Sequence, residues 1–434
     1  MSVPGTAPGQ SEDVAGKAGA MTLAGPGAGA EAGFPVIAVV PPGLEEVAAA
    51  ELSTLGAEAV RPLRRAVALH TDQAGLYRLH LQARLPFRFL RELARFPCRS
   101  RHDLHRGVQA AADWEHWLPP ECSLRVEVSG SLPGLDHSHY TALAVKNALI
   151  DLQRQRWGAR SSVVLDDPDL VLHLHLSPGR PGGGAGNGMA VLSLDGGGGS
   201  LHRRGYRAAM GRAPLKENLA AGLIALTGWD GHEPLVDPLC GSGTLLIEAA
   251  CAALGRAPGL GRELLLQRWP DFDVTLWRQE QERARALARD TLADGRPLAP
   301  IVGVERDPEV LDQARANAEA AGVTRWIRFQ QGDARDLEPP PGPGLLVCNP
   351  PYGVRLGEQA ELEALHADLG RMLRERCGGW TLWLLSGNPD VIRPLRLKAS
   401  RRVAVSNGGI DCRWLRYEIR AGSPNPPANA AASG

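Results

Sequence analysis

Short apolar runs alternate with longer segments of helical periodicity between residues 235 and 385. The predicted strands are 235–239, 301–305, 327–331, 345–348 and 380–385, and the predicted helices between them are 244–254, 278–293, 309–320 and 360–375. This alternation favours a parallel sheet that is covered by helices. Asn407-Gly408-Gly409 separates two further apolar runs and is typical of a hairpin turn, so the last strands should be antiparallel. We therefore predict an α/β domain over residues 201–421.

The overall composition excludes several classes of protein. The 434 residues carry no net formal charge, so no global basic field indicates a nucleic-acid partner, although local patches can still bind one. The seven cysteines form no Cys-x-x-Cys pair, which favours reduced thiols in the cytoplasm over a disulfide scaffold or a zinc ribbon. No apolar run is long enough to cross a membrane. Residues 1–33 lack the pattern of a secretory signal, and we interpret them and residues 422–434 as disordered tails.

The N-terminal half begins with a small β-α-β unit over residues 34–75. The next stretch, 84–106, is predicted to be helical and is rich in arginine, with three phenylalanines interleaved. Arginine binds phosphates bidentately and stacks on bases, so this stretch could bind RNA. The alternative interpretation is an ordinary solvated helix face.

Two glycine runs flank a short apolar segment near the middle of the chain. Glycine-rich segments cannot hold a packed element by themselves, so we predict a linker over residues 179–200. Residues 189–194, which lie between the glycine runs, leave room for one short strand.

A glycine-containing turn joins the first predicted strand of the α/β domain to its first helix. Gly241 and Gly243 allow the backbone to turn sharply and to approach a ligand closely, and the helix N-terminus adds unpaired N–H groups. A dinucleotide-binding loop would have a third glycine, but residue 246 is leucine. Asp237 just upstream suits an amine-bearing, cationic ligand such as S-adenosylmethionine better than a diphosphate. The alternative is a tight turn with no ligand.

Acidic residues follow the next two predicted strands. Glu305 is placed to accept hydrogen bonds from two ribose hydroxyls, and Asp333 could accept one from the adenine amino group. Each could instead be an ordinary strand-end or turn acid. The gap between the glycine turn and Glu305 is about three times the usual twenty residues, because residues 255–300 are inserted. Ligands of open α/β sheets bind beyond the carboxyl ends of the strands, where all these residues should lie.

The sequence Asn349-Pro350-Pro351-Tyr352 follows the fourth predicted strand. The exocyclic amine of a nucleobase is a poor nucleophile because its lone pair is delocalised into the ring. Two oxygens, the side-chain oxygen of Asn349 and the carbonyl oxygen of Pro350, could accept hydrogen bonds from both N–H groups of this amine. They would thereby turn its lone pair toward a methyl donor. Tyr352 offers a ring on which a flipped base can stack. Catalysis would then rest on positioning and electrostatics, without a metal.

At this point the chain resembles a known family. Asn349-Pro-Pro-Tyr is the signature of methyltransferases that act on exocyclic amines of bases. More widely, the chain resembles bacterial THUMP-domain RNA methyltransferases that make N2-methylguanosine in 23S ribosomal RNA (the RlmL/YcbY group). This resemblance rests on residues 107–111, 200–207, 213–221, 237–250, 268–273 and 407–412.

This resemblance implies a Rossmann-like class I methyltransferase domain, preceded by a ferredoxin-like piece over 34–75 and a THUMP RNA-binding domain over 76–178. It also implies that Asp237, Gly241 and Gly243 hold the methionine end of S-adenosylmethionine, that Glu305 holds its ribose and that Asp333 holds its adenine. Residues 349–352 would hold the target base.

The expected function is methylation of a guanine N2 in 23S ribosomal RNA, free or in an assembling large subunit. The chain carries no second methyltransferase domain, so one modification is expected. Two alternatives are an adenine-N6 nucleic-acid methyltransferase, which shares the Asn-Pro-Pro-Tyr signature, and a non-catalytic RNA-binding factor that has kept the fold.

Overall fold

The computed structural model describes residues 33–178, 188–207, 215–351 and 358–420. The strands are β1 Phe34–Val39, β2 Glu58–Leu63, β3 Ala66–Thr71, β4 Arg88–Pro97, β5 Ser123–Gly130, β6 Ser162–Val163, β7 Leu170–Ser177, β8 Met189–Asp195, β9 Leu235–Asp237, β10 Ile301–Glu305, β11 Ile327–Gln331, β12 Leu345–Cys348, β13 Thr381–Ser386, β14 Arg401–Asn407 and β15 Ile410–Glu418. The helices are α1 Glu45–Thr54, α2 Gln73–Gln82, α3 Arg101–Ala110, α4 Trp114–Trp117, α5 Ser138–Trp157, α6 Glu217–Thr227, α7 Thr244–Ala253, α8 Val274–Leu287, α9 Pro308–Ala320, α10 Glu358–Arg376 and α11 Pro389–Ile392.

The N-terminal half forms one eight-stranded sheet with the order β2-β3-β1-β4-β8-β7-β5-β6. Its first part has the βαββαβ order of a ferredoxin-like unit. The second strand of the predicted β-α-β unit is instead a hairpin of two strands, β2 and β3, in which Arg65 turns with a φ of 60°. The unit also extends beyond the predicted limit of residue 75, because β4 pairs with β1.

The predicted helix over residues 84–106 is wrong for most of its length. Arg88–Pro97 forms strand β4, which pairs with β1 on one side and with β8 on the other. Pairing with two neighbours that are distant in sequence overrides the local helical preference of this segment. Only α3, which begins after the Ser100 cap, is helical.

The prediction of a linker over residues 179–200 is wrong for Met189–Asp195. These residues form β8, which lies between β4 and β7 and joins the two parts of the N-terminal sheet. All but the first residue of β8 are buried, so the strand is a central part of the fold. Residues 179–187 lie outside the described part of the chain.

The C-terminal half forms the predicted α/β sheet, with the order β11-β10-β9-β12-β13-β15-β14. The strands from β9 to β13 are parallel, and β15 runs antiparallel to β13 and β14. The prediction of a parallel sheet that ends in an antiparallel hairpin is therefore confirmed. The four strands from β11 to β12 are neighbours, so their carboxyl ends lie side by side.

The segment inserted between α7 and β10 packs against the N-terminal half. Its helix α8 contacts α2, where Glu280 pairs with Arg78 at 3.0 Å and Trp277 packs against the ring of Tyr77. The insert therefore lengthens the chain between the glycine turn and Glu305 without adding a strand between β9 and β10.

Among the described residues, no helix combines the length and the apolar character that crossing a membrane would require.

Candidate active site

The predicted site residues lie at or just after the ends of four neighbouring strands, at one edge of the sheet. Asp237 ends β9, Glu305 ends β10, Asp333 lies two residues after β11, and Asn349 directly follows β12. Because these strands are parallel and adjacent, the structure brings the four positions together at the carboxyl edge. This edge is where open α/β sheets bind their ligands.

The glycine turn has the backbone conformation that the sequence suggests. Gly241 and Gly243 have φ angles of 52° and 80°, which lie in the left-handed region that favours glycine. A Cβ atom at Gly241 would meet nothing within 4 Å, whereas one at Gly243 would approach the Phe329 ring at 3.1 Å. The turn thus leaves open space beside Gly241, directly before the N-terminus of α7.

Asp237 is almost completely buried at this edge. Its carboxylate accepts a hydrogen bond from the Leu239 N–H at 3.0 Å. Burial, together with the nearby negative charge of Glu305, raises the pKa of Asp237 to about 8. A cationic ligand beside these two acids would favour the charged form of Asp237 and would relieve that repulsion.

Glu305 links the glycine turn to the start of the next helix. Its carboxylate accepts hydrogen bonds from the Gly241 N–H and from the Asp307 N–H, both at 3.1 Å. Asp307 itself caps α9 by accepting from the Glu309 N–H at 2.9 Å. The carboxylate of Glu305 is thus held in one orientation by main-chain donors.

The carboxylate of Asp333 is engaged by Arg335. It accepts from Arg335 Nε at 2.8 Å and from Nη2 at 2.5 Å. These hydrogen bonds lower the pKa of Asp333 to about 2. The carboxylate therefore stays ionised, and a ligand amine would have to share it with the guanidinium.

Asn349 and Pro350 lie where β12 leaves the sheet. Asn349 is partly buried, Pro350 is buried and Pro351 is exposed, while Tyr352 lies outside the described residues. The preceding residue, Cys348, is buried close enough to Asp237 for the aspartate charge to add to the effect of burial, which raises the pKa of the thiol. The end of β12 is therefore adjacent to the buried acid of β9.

The residues present fit S-adenosylmethionine. Two carboxylates, Asp237 and Glu305, stand beside a helix N-terminus and an open glycine turn. These two acceptors suit a ligand that carries an ammonium group and ribose hydroxyls, and they do not suit a diphosphate. Among the described residues, no three His, Cys, Asp or Glu side chains come together as a metal site would require.

Asn317 supports the glycine turn, although no motif in the sequence points to it. The buried amide of Asn317, on α9, donates to the Ser242 carbonyl at 3.1 Å. An asparagine in the middle of a helix is an unfavourable choice for helix propensity, and this was the only signal in the sequence.

Several side chains of the arginine-rich stretch make contacts within the protein. Arg84 donates to the carbonyls of Cys251 and Arg256, so it joins the two halves of the chain. The next three arginines are paired with acids: Arg88 with Asp195 and Glu127, Arg91 with Asp271, and Arg95 with Glu92. These four guanidinium groups are therefore engaged within the protein, whereas Arg99, Arg101 and Arg106 are exposed.

Comparison with known proteins places the fold and the site in context. The RMKL-like methyltransferase domain (UPF0020) matches residues 204–416, the RlmL ferredoxin-like domain matches residues 35–90, and the THUMP domain matches residues 98–180. The putative RNA methyltransferase slr0064 of Synechocystis is 43% identical over 386 residues, which are 89% of this chain and 97% of that protein.

Two further similarities are informative. The ribosomal RNA large subunit methyltransferase K/L of Pseudomonas putida is 39% identical over 396 residues, which are 89% of this chain and 52% of that protein. The chain thus spans about half the length of the K/L relative. The crystal structure of SMU.472, a putative methyltransferase complexed with SAH, is 27% identical, with a TM-score of 0.77 over 91% of this chain and 100% of that one.

Fold and site together define an S-adenosylmethionine-dependent methyltransferase. The chain belongs to the RlmL-like family of RNA methyltransferases, in which a ferredoxin-like domain and a THUMP domain precede the methyltransferase domain.

Proposed function

We propose that this enzyme methylates the exocyclic N2 amine of a guanine in 23S ribosomal RNA, in the cytoplasm, as free RNA or within an assembling large subunit. The observation that carries the proposal is the position of Asn349-Pro350 at the end of β12, beside the strand that carries the buried acid Asp237. The name of the K/L relatives, which refers to large-subunit ribosomal RNA, supports the choice of substrate.

In this proposal each site residue has a separate task. Asp237 and the glycine turn bind the ammonium group of the cofactor, Glu305 binds the ribose hydroxyls, and Asp333 accepts from the adenine amine while Arg335 holds its carboxylate. When bound, S-adenosylmethionine supplies an electrophilic methyl carbon on a positively charged sulfur.

Asn349 and Pro350 prepare the nucleophile. The Asn349 side-chain oxygen and the Pro350 carbonyl accept the two N–H bonds of the guanine amine and point its lone pair at the methyl carbon. Transfer of this methyl group would leave the electron pair of the broken S–C bond on the sulfur, and the methylated amine would release its extra proton to water. Tyr352 is proposed as the stacking partner of the flipped base.

The test combines a site variant with identification of the product. Asn349→Ala should lower turnover by about 100-fold or more, because a preorganised polar contact to the reacting group is lost. The same variant should bind S-adenosylhomocysteine with unchanged affinity, which would separate a catalytic defect from misfolding. Wild-type turnover in Asn349→Ala would remove this residue from the mechanism.

Digestion of the methylated ribosomal RNA to nucleosides decides between the candidate bases. The RNA should come from a strain that lacks the gene, so that the target is unmodified. N2-methylguanosine is the expected product, whereas N6-methyladenosine would establish the adenine alternative. Absence of any methyl transfer to this RNA would favour the non-catalytic alternative.

A further inference from the structure

We propose that a surface between the two halves of the chain, formed by Phe87, His202, Arg203 and Lys216, binds the single-stranded RNA next to the target base. We call this surface the basic strip. The proposal rests on the proposed function, because it assigns the path of the substrate to residues that the catalytic site does not use.

The two cations of the basic strip are available for a polyanion. Arg203 and Lys216 are both exposed, and neither side chain forms an ion pair with a residue in the described ranges. This distinguishes them from the neighbouring arginines, since Arg204 is paired with Glu248 and Arg207 with Glu217. Unpaired exposed cations on one surface favour phosphate binding.

Two partly exposed rings lie between these cations. The rings of Phe87 and His202 meet edge to face with their centroids 5.9 Å apart, and Lys216 Nζ lies 5.2 Å from the Phe87 centroid. Burial and the surrounding cations, Lys216 foremost, lower the pKa of His202 to about 4, so the ring is neutral. Flat uncharged rings beside cations are the combination that single-stranded nucleic acids use for stacking.

The strip has a rigid backbone. The Leu201 N–H donates to the Phe87 carbonyl at 2.7 Å, which joins the two segments that carry the strip. The guanidinium of Arg262 donates to the carbonyls of Leu201 and Arg203 at 2.9 and 2.8 Å. Arg262 therefore positions the segment that presents Arg203.

A cavity of about 550 Å³ adjoins Arg203. Its walls include the loop 197–200, Arg262 and Arg268, together with Asp167 and Glu263. Asp167 is neutralised by Arg268 at 2.7 Å, while Glu263 is exposed. The volume lies within the ~300–1,000 Å³ typical of ligand sites, so an unstacked nucleotide fits beside the strip.

The strip continues toward the candidate active site. Lys216 directly precedes Glu217, which holds Arg207 at 2.8 Å. Arg207 Nη2 in turn lies 3.3 Å from Thr244 Oγ1, at the first residue of α7 after the glycine turn. The Lys216 end of the strip is therefore linked to the first residue of α7, at the cofactor end of the sheet.

The experiment measures binding of a short fluorescent oligouridylate to the whole chain at several salt concentrations. The double variant Arg203→Gln/Lys216→Gln should bind at least about tenfold more weakly, and its log–log salt slope should be shallower by about 1.4, since each phosphate contact to a single strand contributes about 0.7. Arg278→Gln, at an exposed position on α8, is the matched control and should bind as the wild type does. Wild-type affinity and slope in the double variant would overturn the proposal.

Phe87→Leu tests the stacking part separately. It should weaken oligouridylate binding at least about fivefold while the salt slope stays unchanged, because stacking involves no counterion release. An equal loss of affinity for duplex RNA in these variants would refute the assignment to a single strand. S-adenosylhomocysteine affinity should remain at the wild-type value in all of them, and its loss would refute a role confined to RNA.

RNA affinity and the identity of the methylated product test this proposal and the proposed function separately. Weaker RNA binding by the strip variants together with N6-methyladenosine as product would uphold the strip and reject the guanine assignment. Normal RNA binding together with N2-methylguanosine would reject the strip and uphold the proposed function.

Discussion

Replacing Asp237 with asparagine should stabilise the protein without cofactor and at the same time abolish cofactor binding. Asp237 is 2% exposed, and burial raises its pKa from 3.8 to about 8. Between these two pH values the folded chain holds a proton that the unfolded chain has already released. The free energy of unfolding therefore falls as the pH rises through this window, and it levels off above about pH 8.

The size of the effect follows from the width of the window. At about 1.4 kcal/mol for each pKa unit, the buried carboxyl costs about 4 kcal/mol at pH 7 and about 6 kcal/mol above pH 8, both as upper limits. Asparagine has nearly the same shape and no charge, but its amide N–H groups need partners, which offsets part of the gain. We expect Asp237→Asn to raise the free energy of unfolding by at least about 1 kcal/mol at pH 8, and this advantage should be lost as the pH falls toward 4.

Urea unfolding of the cofactor-free protein at several pH values measures this difference. Asp195→Asn is the matched control, because Asp195 is also fully buried with a pKa raised to about 6, yet it is paired with Arg88 at 3.1 Å. The control variant should be less stable than the wild type, since it removes a carboxylate partner of Arg88. The stability argument is refuted if Asp237→Asn is less stable than the wild type at pH 8 or keeps the wild-type dependence on pH. The cofactor role is refuted if S-adenosylhomocysteine raises the melting temperature of this variant as much as that of the wild type.

Two other variants test neighbouring parts of the structure. Glu305→Ala should weaken S-adenosylhomocysteine binding at least about tenfold by calorimetry, because the proposed acceptor for the ribose and the bond to Gly241 N–H are lost together. Unchanged affinity would exclude the ribose role. Glu248→Ala should lower the free energy of unfolding by about 3–5 kcal/mol in urea, because it leaves the buried Arg204 without its partner. A loss below about 1 kcal/mol would show that the pair is solvated.

The sequence predicted the C-terminal half well because its signals are local. Apolar runs with intervening helical periodicity indicated β9 to β13, and the glycine turn and strand-end acids required only that these strands be parallel and adjacent. The order of the strands then placed Asp237, Glu305, Asp333 and Asn349 at one edge. The sequence pattern could not predict the hydrogen bonds from Arg335 to Asp333, because they depend on the conformation of one turn.

The N-terminal half was predicted less well because its structure depends on distant partners. Strand β4 has the composition of a solvated helix, and only β1 and β8 on its two sides make it a strand. The same pairing explains the arginines, since residues such as Arg88 and Arg91 face acids more than a hundred positions away. A run of basic residues in a sequence indicates RNA binding only if the fold leaves the charges unpaired.

The seam between the halves makes the geometry of the enzyme largely fixed. Across it, the buried guanidinium of Arg204 binds Glu248 and also donates to the Arg84 carbonyl at 2.6 Å, and the buried amide of Asn218 donates to the Leu85 carbonyl at 3.0 Å. Opening this seam would break the hydrogen bonds to Arg84 and Leu85 and would expose apolar residues of the core that both halves share. The N-terminal half is therefore not free to swing relative to the methyltransferase domain. In the mechanism proposed above, the RNA would then have to bend or flip its base to reach Asn349, so the conformational change would occur in the substrate.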